Sequence, residues 1–114
     1  MNTNQRLFPR FNFEGPLKFQ VRGAGATYNT VGDDLSQSGI GFVHHEFIPA
    51  STALNLEIKL IDRVVKTIGK VMWARPLSRS NKFRVGVNFI EFDILEKKFL
   101  EDFISLKKHQ LEGV

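Results

Sequence analysis

From residue 54 to residue 60 the chain alternates without exception: Leu54, Leu56, Ile58 and Leu60 are apolar, and Asn55, Glu57 and Lys59 between them are polar. A period of two puts all the apolar groups on one face only if the backbone is extended, so this stretch reads as a strand with one dry face and one wet face. The same pattern recurs in Leu17, Phe19 and Val21, and again in Phe83, Val85, Val87 and Phe89. Val64 to Ala74 is rich in β-branched residues, Gly39 to His44 is a shorter run, and Thr30 to Leu35 is a weaker candidate broken by Gly32. Gly23-Ala24-Gly25, Gly32-Asp33-Asp34, Pro49-Ala50-Ser51 and Pro76-Leu77-Ser78 fall between the runs, where turns need their backbone freedom or fixed φ. Several half-buried strands joined by short turns bury their dry faces most simply as a sandwich or a closed barrel, and closure removes exposed edges.

Near residue 93 the period lengthens. Asp93-Ile94-Leu95-Glu96 carries an N-capping acid with Glu three residues later, and Leu95, Phe99 and Phe103 share a stripe with Leu100 and Ile104. A helix over 93–110 is expected to lay this stripe against the barrel, with Lys97, Lys98, Asp102 and Lys107 on the opposite face. At 114 residues the chain is expected to be one domain, with an N-terminal segment over 1–13 that shows no regular hydrophobic period and a β-domain with its helix over 14–114. The absence of cysteine excludes disulfides, thiolate catalysis and Cys-ligated metal. No apolar run reaches the ~18 residues of a membrane span, and the N-terminus lacks a secretory h-region, so a cytoplasmic setting is expected. The net charge of +4 is compatible with an anionic partner without requiring one.

Chemistry concentrates in the first third. Arg6 and Arg10 stand four residues apart around Pro9, which disfavours a helical Phe8. In an extended chain their Cα atoms lie ~13 Å apart, a span that suits the two ends of one multi-anionic ligand. Each guanidinium offers a planar fork for phosphate or for the O6/N7 edge of guanine. A second pair at this spacing, Arg75 and Arg79, lacks the companion that follows the first: Asp34-Leu35-Ser36-Gln37-Ser38-Gly39, spaced D-x-S-x-x-G. Extended backbone points Asp34 and Ser36 to one side, the acid able to accept from a guanine N1–H and N2–H₂ edge and the hydroxyl able to donate to phosphate. Gly39 permits close backbone approach or a sharp turn.

R-x-x-x-R followed 24 positions later by D-x-S-x-x-G resembles the PilZ domain, a bacterial receptor for the second messenger cyclic di-GMP. Val71-Met72-Trp73-Ala74 and Val85-Gly86-Val87-Asn88-Phe89 are similar to the late strands of that family. The resemblance implies a mostly-β fold: a six- or seven-stranded antiparallel split barrel with a C-terminal helix packed on it. It implies that Arg6 and Arg10 grip the phosphates and guanines, that Asp34 and Ser36 hold a guanine edge and neighbouring phosphate, and that Gly39 shapes the turn. An aromatic on the later strand borders the pocket in some relatives, which adds Trp73 and, on the same face, Arg75. Many relatives carry a further basic residue where this chain has Gln5. The implied protein is not an enzyme and needs no cofactor besides its ligand. It is expected as a monomer or weak homodimer that moves its N-terminal segment on binding, and so alters contact with an effector of flagellar, pilus or polysaccharide machinery that controls motility, adhesion or biofilm.

Two other readings compete. One is a basic small barrel that binds nucleic acid; against it, most of the 11 Phe fall at core-alternation positions. The other is a PilZ-like adaptor for proteins without nucleotide; relatives of that kind typically lack the arginines. His44-His45-Glu46 is not expected to hold a metal, because neighbours on a strand point to opposite faces. No serine stands in a nucleophile motif such as G-x-S-x-G.

Overall fold

In the computed structural model residues 11–112 are described, with side chains described from Phe13 to Lys107. Six strands, β1 (Phe11–Val21), β2 (Thr27–Leu35), β3 (Gly39–His44), β4 (Ala53–Leu60), β5 (Arg63–Pro76) and β6 (Phe83–Phe92), precede one helix, α1 (Ile94–Glu112). The strands close into a barrel in the order β1-β2-β3-β6-β5-β4, every neighbouring pair antiparallel. Four of the six contacts join strands adjacent in sequence; the other two, β1–β4 and β3–β6, join distant strands, and the second matters for the site.

The alternating residues point as their period requires. Leu54, Leu56, Ile58 and Leu60 are buried, as are Leu17, Phe19, Val85 and Val87, with Ile40, Phe42, Val65 and Val71 completing the lining. Each such side chain removed from water stabilises the fold by about 1.5–3 kcal/mol before entropy is counted. Phe19 meets Phe42 in a tilted contact at 4.8 Å and stacks on Tyr28 at 5.3 Å, filling the barrel near the end where His44 sits. Asp93 Oδ1 accepts from the Leu95 amide at 3.0 Å and so caps α1. The helix closes the other region of the core with Leu100, Phe103 and Ile104, and Phe103 meets Phe13 edge-on at 6.0 Å. Leu95, expected in that stripe, is instead 75% exposed: the helix touches the barrel only from Phe99 onward, so its first turn has nothing to pack on.

β1 starts at Phe11, well before the alternation that opens at Leu17. Phe11 and Asn12 pair with Leu35 and Asp34, and a bulge before Gly15 lets the chain reach Pro16 without needing its missing N–H. Residues 11–13 therefore belong to the barrel, and Phe13 is part of its core. Residues 1–10, the bulk of the segment expected to grip ligand, lie outside the described residues, as do Arg6 and Arg10.

Candidate functional site

Two bulges shape the outer face over β2, β3, β6 and β5. On β2, Gly32 pairs with Phe42 and Asp34 with Gly41, so two steps along β2 match one along β3 and Asp33 is the extra residue. A bulge breaks the strict alternation, and it brings the carboxylates of consecutive Asp33 and Asp34 to one guanidinium. Arg84 of β6 donates through Nη1 to Asp33 Oδ2 and through Nη2 to Asp34 Oδ2, the latter at 2.8 Å. The fork crosses Gly41, where a Cβ would stand 3.1 Å from both Arg84 Nη2 and Asp34 Oδ1. Hydrogen bonding to Asp33, followed by the charges of both acids, raises the Arg84 pKa against the opposing effect of its partial burial.

On β5 the second bulge falls between Val71 and Trp73, with Met72 as the extra residue. Continued alternation after Val65, Thr67 and Val71 would send Trp73 into the core; the bulge turns it outward and sends Ala74 inward instead. Trp73 is paired with Gly86, and its indole covers that glycine so closely that a Cβ there would lie 2.4 Å from the ring. Arg75, on the same side, sets its guanidinium 4.6 Å from the Trp73 ring centroid. The register links Asp34 to Gly41, Gly41 to Gly86 and Gly86 to Trp73. An acid and an indole thus flank two adjacent glycines, at most ~14 Å apart across three strand spacings.

The expected D-x-S-x-x-G corner is the β2–β3 turn. The Ser36 amide donates to Gly39 O at 3.0 Å to close it, and Ser36 Oγ accepts from the Ser38 amide at 3.2 Å and lies 3.0 Å from Ser38 Oγ. Asp34 and Ser36 both face away from the Leu35 side of the strand, but the acid meets Arg84 while the hydroxyl is buried within its own turn. Gly39 does not adopt a positive φ. It is required because β6 passes against it: a Cβ would stand 2.1 Å from Val87 O. Because Phe11 pairs with Leu35, the residue bonded covalently to Arg10 sits beside this turn. Asp33 and Arg84 were not singled out from the sequence; the doubled acid after Gly32 is the one local signal, and Arg84 gains its role from the long-range pairing of β3 with β6.

His44, His45 and Glu46 depart from expectation in geometry. β3 ends at His44, so His45 is no longer bound by alternation; the two rings lie 4.3 Å apart, and donor atoms of the three residues lie within 4.8 Å of one another. Burial lowers the His44 pKa, with a further push from His45 and an opposing pull from Glu46. Among the described residues, two shallow surface depressions of about 420 and 450 Å³ lie over β1–β2–β4 and along β4–β5–β6. Neither is lined by Asp34, Ser36 or Trp73, and the first is floored by uncharged amides such as Gln20 and Asn55 with Lys18 as its cation, a poor match to a dianion.

The architecture is a small closed antiparallel barrel capped by a helix, with Asp34 of β2 and Trp73 of β5 on one outer face. The PilZ domain model matches residues 4–106, and the chain belongs to that family. Among solved structures the chain resembles the inhibitor of motility MotI (DgrA) of Bacillus subtilis, with a TM-score of 0.75 and 18% identity over 91% of this chain and 52% of that one. It also resembles the PilZ domain of YcgR from Escherichia coli, determined with c-di-GMP, with a TM-score of 0.69 and 14% identity over 96% of both chains. A third is the c-di-GMP complex of MrkH from K. pneumonia, with a TM-score of 0.76 and 14% identity over 95% of this chain and 54% of that one. The chain therefore spans about half the length of MotI and MrkH. No curated protein matches it in sequence. No helix among the described residues is long and apolar enough to cross a membrane.

Proposed function

We propose that this domain is a receptor for cyclic di-GMP that acts by binding rather than by catalysis. The observation that carries the reading is the position of the D-x-S-x-x-G turn. It lies beside the start of β1, where the chain leaves Arg6-x-x-x-Arg10, and on the same wall as the outward-turned Trp73. In this reading the forks of Arg6 and Arg10 hold the two phosphates, Asp34 and Ser36 hold a guanine edge and neighbouring phosphate at the corner, and Trp73 with Arg75 receives a base face. Gly39 keeps the corner in place against β6. The signal is relayed by rearrangement of the N-terminal loop to a protein effector of motility, adhesion or polysaccharide output.

Calorimetric titration of the purified chain with cyclic di-GMP, against GTP and cyclic di-AMP, tests this directly. Binding of the first alone is expected, and Arg10→Ala should abolish it while leaving the melting temperature of the ligand-free protein nearly unchanged. Affinity that survives both Arg6→Ala and Arg10→Ala contradicts the site.

A further inference from the structure

A dianionic ligand approaching Asp34 meets an electrostatic obstacle. The β2 bulge sets a second carboxylate, Asp33, beside the first, and two negative charges stand where a doubly charged anion must come. Asp33 Oδ1 is buried without a hydrogen-bond partner, and among the described residues it is Arg84 that pairs with this acid, through Oδ2. The three side chains remain 32%, 34% and 27% exposed for Arg84, Asp33 and Asp34, close enough to solvent for a ligand to feel their sum and buried enough to limit screening.

We propose that Arg84, resting on the cyclic di-GMP reading above, is an affinity-determining residue of this site: its guanidinium offsets one charge of the Asp33–Asp34 pair so that a dianionic cyclic dinucleotide can reach the Asp34 corner. Removing Arg84 makes the corner more negative by one unit charge and takes away the fork that orients Asp34. The role depends on the fold at three points. The bulge gathers both acids, Gly41 leaves room for the guanidinium to cross β3, and the β3–β6 pairing brings Arg84 within reach. Asp33 is the counterweight, an acid whose charge opposes the ligand.

The test is a charge-compensation cycle read by calorimetry with cyclic di-GMP. Arg84→Met should weaken binding roughly tenfold, the scale of one unit charge acting on a nearby dianion through a surface dielectric. Asp33→Asn alone should bind about two- to fivefold more tightly than the native chain, since it removes an opposing charge. Adding Asp33→Asn to Arg84→Met should recover most of the lost affinity, which a purely structural role for Arg84 would not produce. Arg84→Met within twofold of native affinity, or a double variant as weak as Arg84→Met, overturns the proposal. Should Arg84→Met fail to fold, Asp33→Asn decides: tighter binding sustains the proposal, and equal or weaker binding ends it. A native chain that binds no cyclic di-GMP at all refutes the receptor reading itself, a result distinct from any of these.

Discussion

At Gly39 and Gly86 the absence of a side chain does two different jobs. The neighbour of Gly39 is the Val87 carbonyl, part of a strand backbone that cannot retreat, so Gly39→Ala should lower stability by about 1–3 kcal/mol in urea denaturation. Loss of ligand binding in that variant would report a distorted barrel and not a lost contact. The neighbour of Gly86 is the Trp73 indole, which can swing away. Gly86→Ala should therefore leave the denaturation midpoint closer to native than Gly39→Ala does, yet shift the fluorescence of Trp73, the sole tryptophan of the chain. A Gly86→Ala spectrum superimposable on the native one would show that the ring does not lie across that glycine.

At the scale of elements, the end of β3 carries a pH-dependent part of the stability. His44 is buried among Phe19 and Tyr28, and burial pushes its pKa below the ordinary 6.5. The unfolded chain then binds a proton at His44 more readily than the folded one, so this stability is present above about pH 6.5 and is lost as pH falls below it toward the lower folded value. The melting temperature should drop between about pH 7.5 and 5.5, and His44→Phe should flatten that slope; an unchanged slope would locate the dependence elsewhere. In α1, Leu100 is buried where the helix meets the barrel, and Leu100→Ala should lose about 2–4 kcal/mol by chemical denaturation.

The same elements mark how far the sequence could be read. In β4 the alternation is unbroken and its burial follows residue by residue, because nothing interrupts the pairing with β1 and β5. In β2 and β5 an added residue shifts the phase, and a bulge is decided by the partner strand, which the local pattern does not contain. Trp73 for that reason faces outward from a strand whose odd-numbered positions from Val65 to Val71 face inward, and Asp33 joins Asp34 instead of opposing it. Arg84 looks like any polar residue between core positions until β3, distant in sequence, is laid beside β6. The turn Asp34-Leu35-Ser36-Gln37-Ser38-Gly39 was legible as a corner, but the burial of the Ser36 hydroxyl inside it follows from the close return of the chain through Ser38.

For the whole molecule, the barrel is a rigid wall and the proposed function lies on its outside. A receptor that holds one dianion should lose affinity only gently as salt rises, whereas a barrel neutralising many phosphates of a nucleic acid would lose it steeply. Cyclic di-GMP affinity measured across a salt series, with duplex DNA as competitor, should show the shallow dependence and no displacement; displacement by DNA would favour the nucleic-acid reading. The central claim is one of place: ligand seated on the face that runs from Asp34 across Gly41 and Gly86 to Trp73. The most direct measurement is amide and indole chemical-shift mapping of the ¹⁵N-labelled chain during titration with cyclic di-GMP. Perturbations at residues 6–10, the Asp34–Gly41 corner, Gly86, Arg84 and the Trp73 indole, with the β4 amides unmoved, are the predicted result; perturbations centred on β4 and the β1 residues paired with it, or none at millimolar ligand, would contradict it.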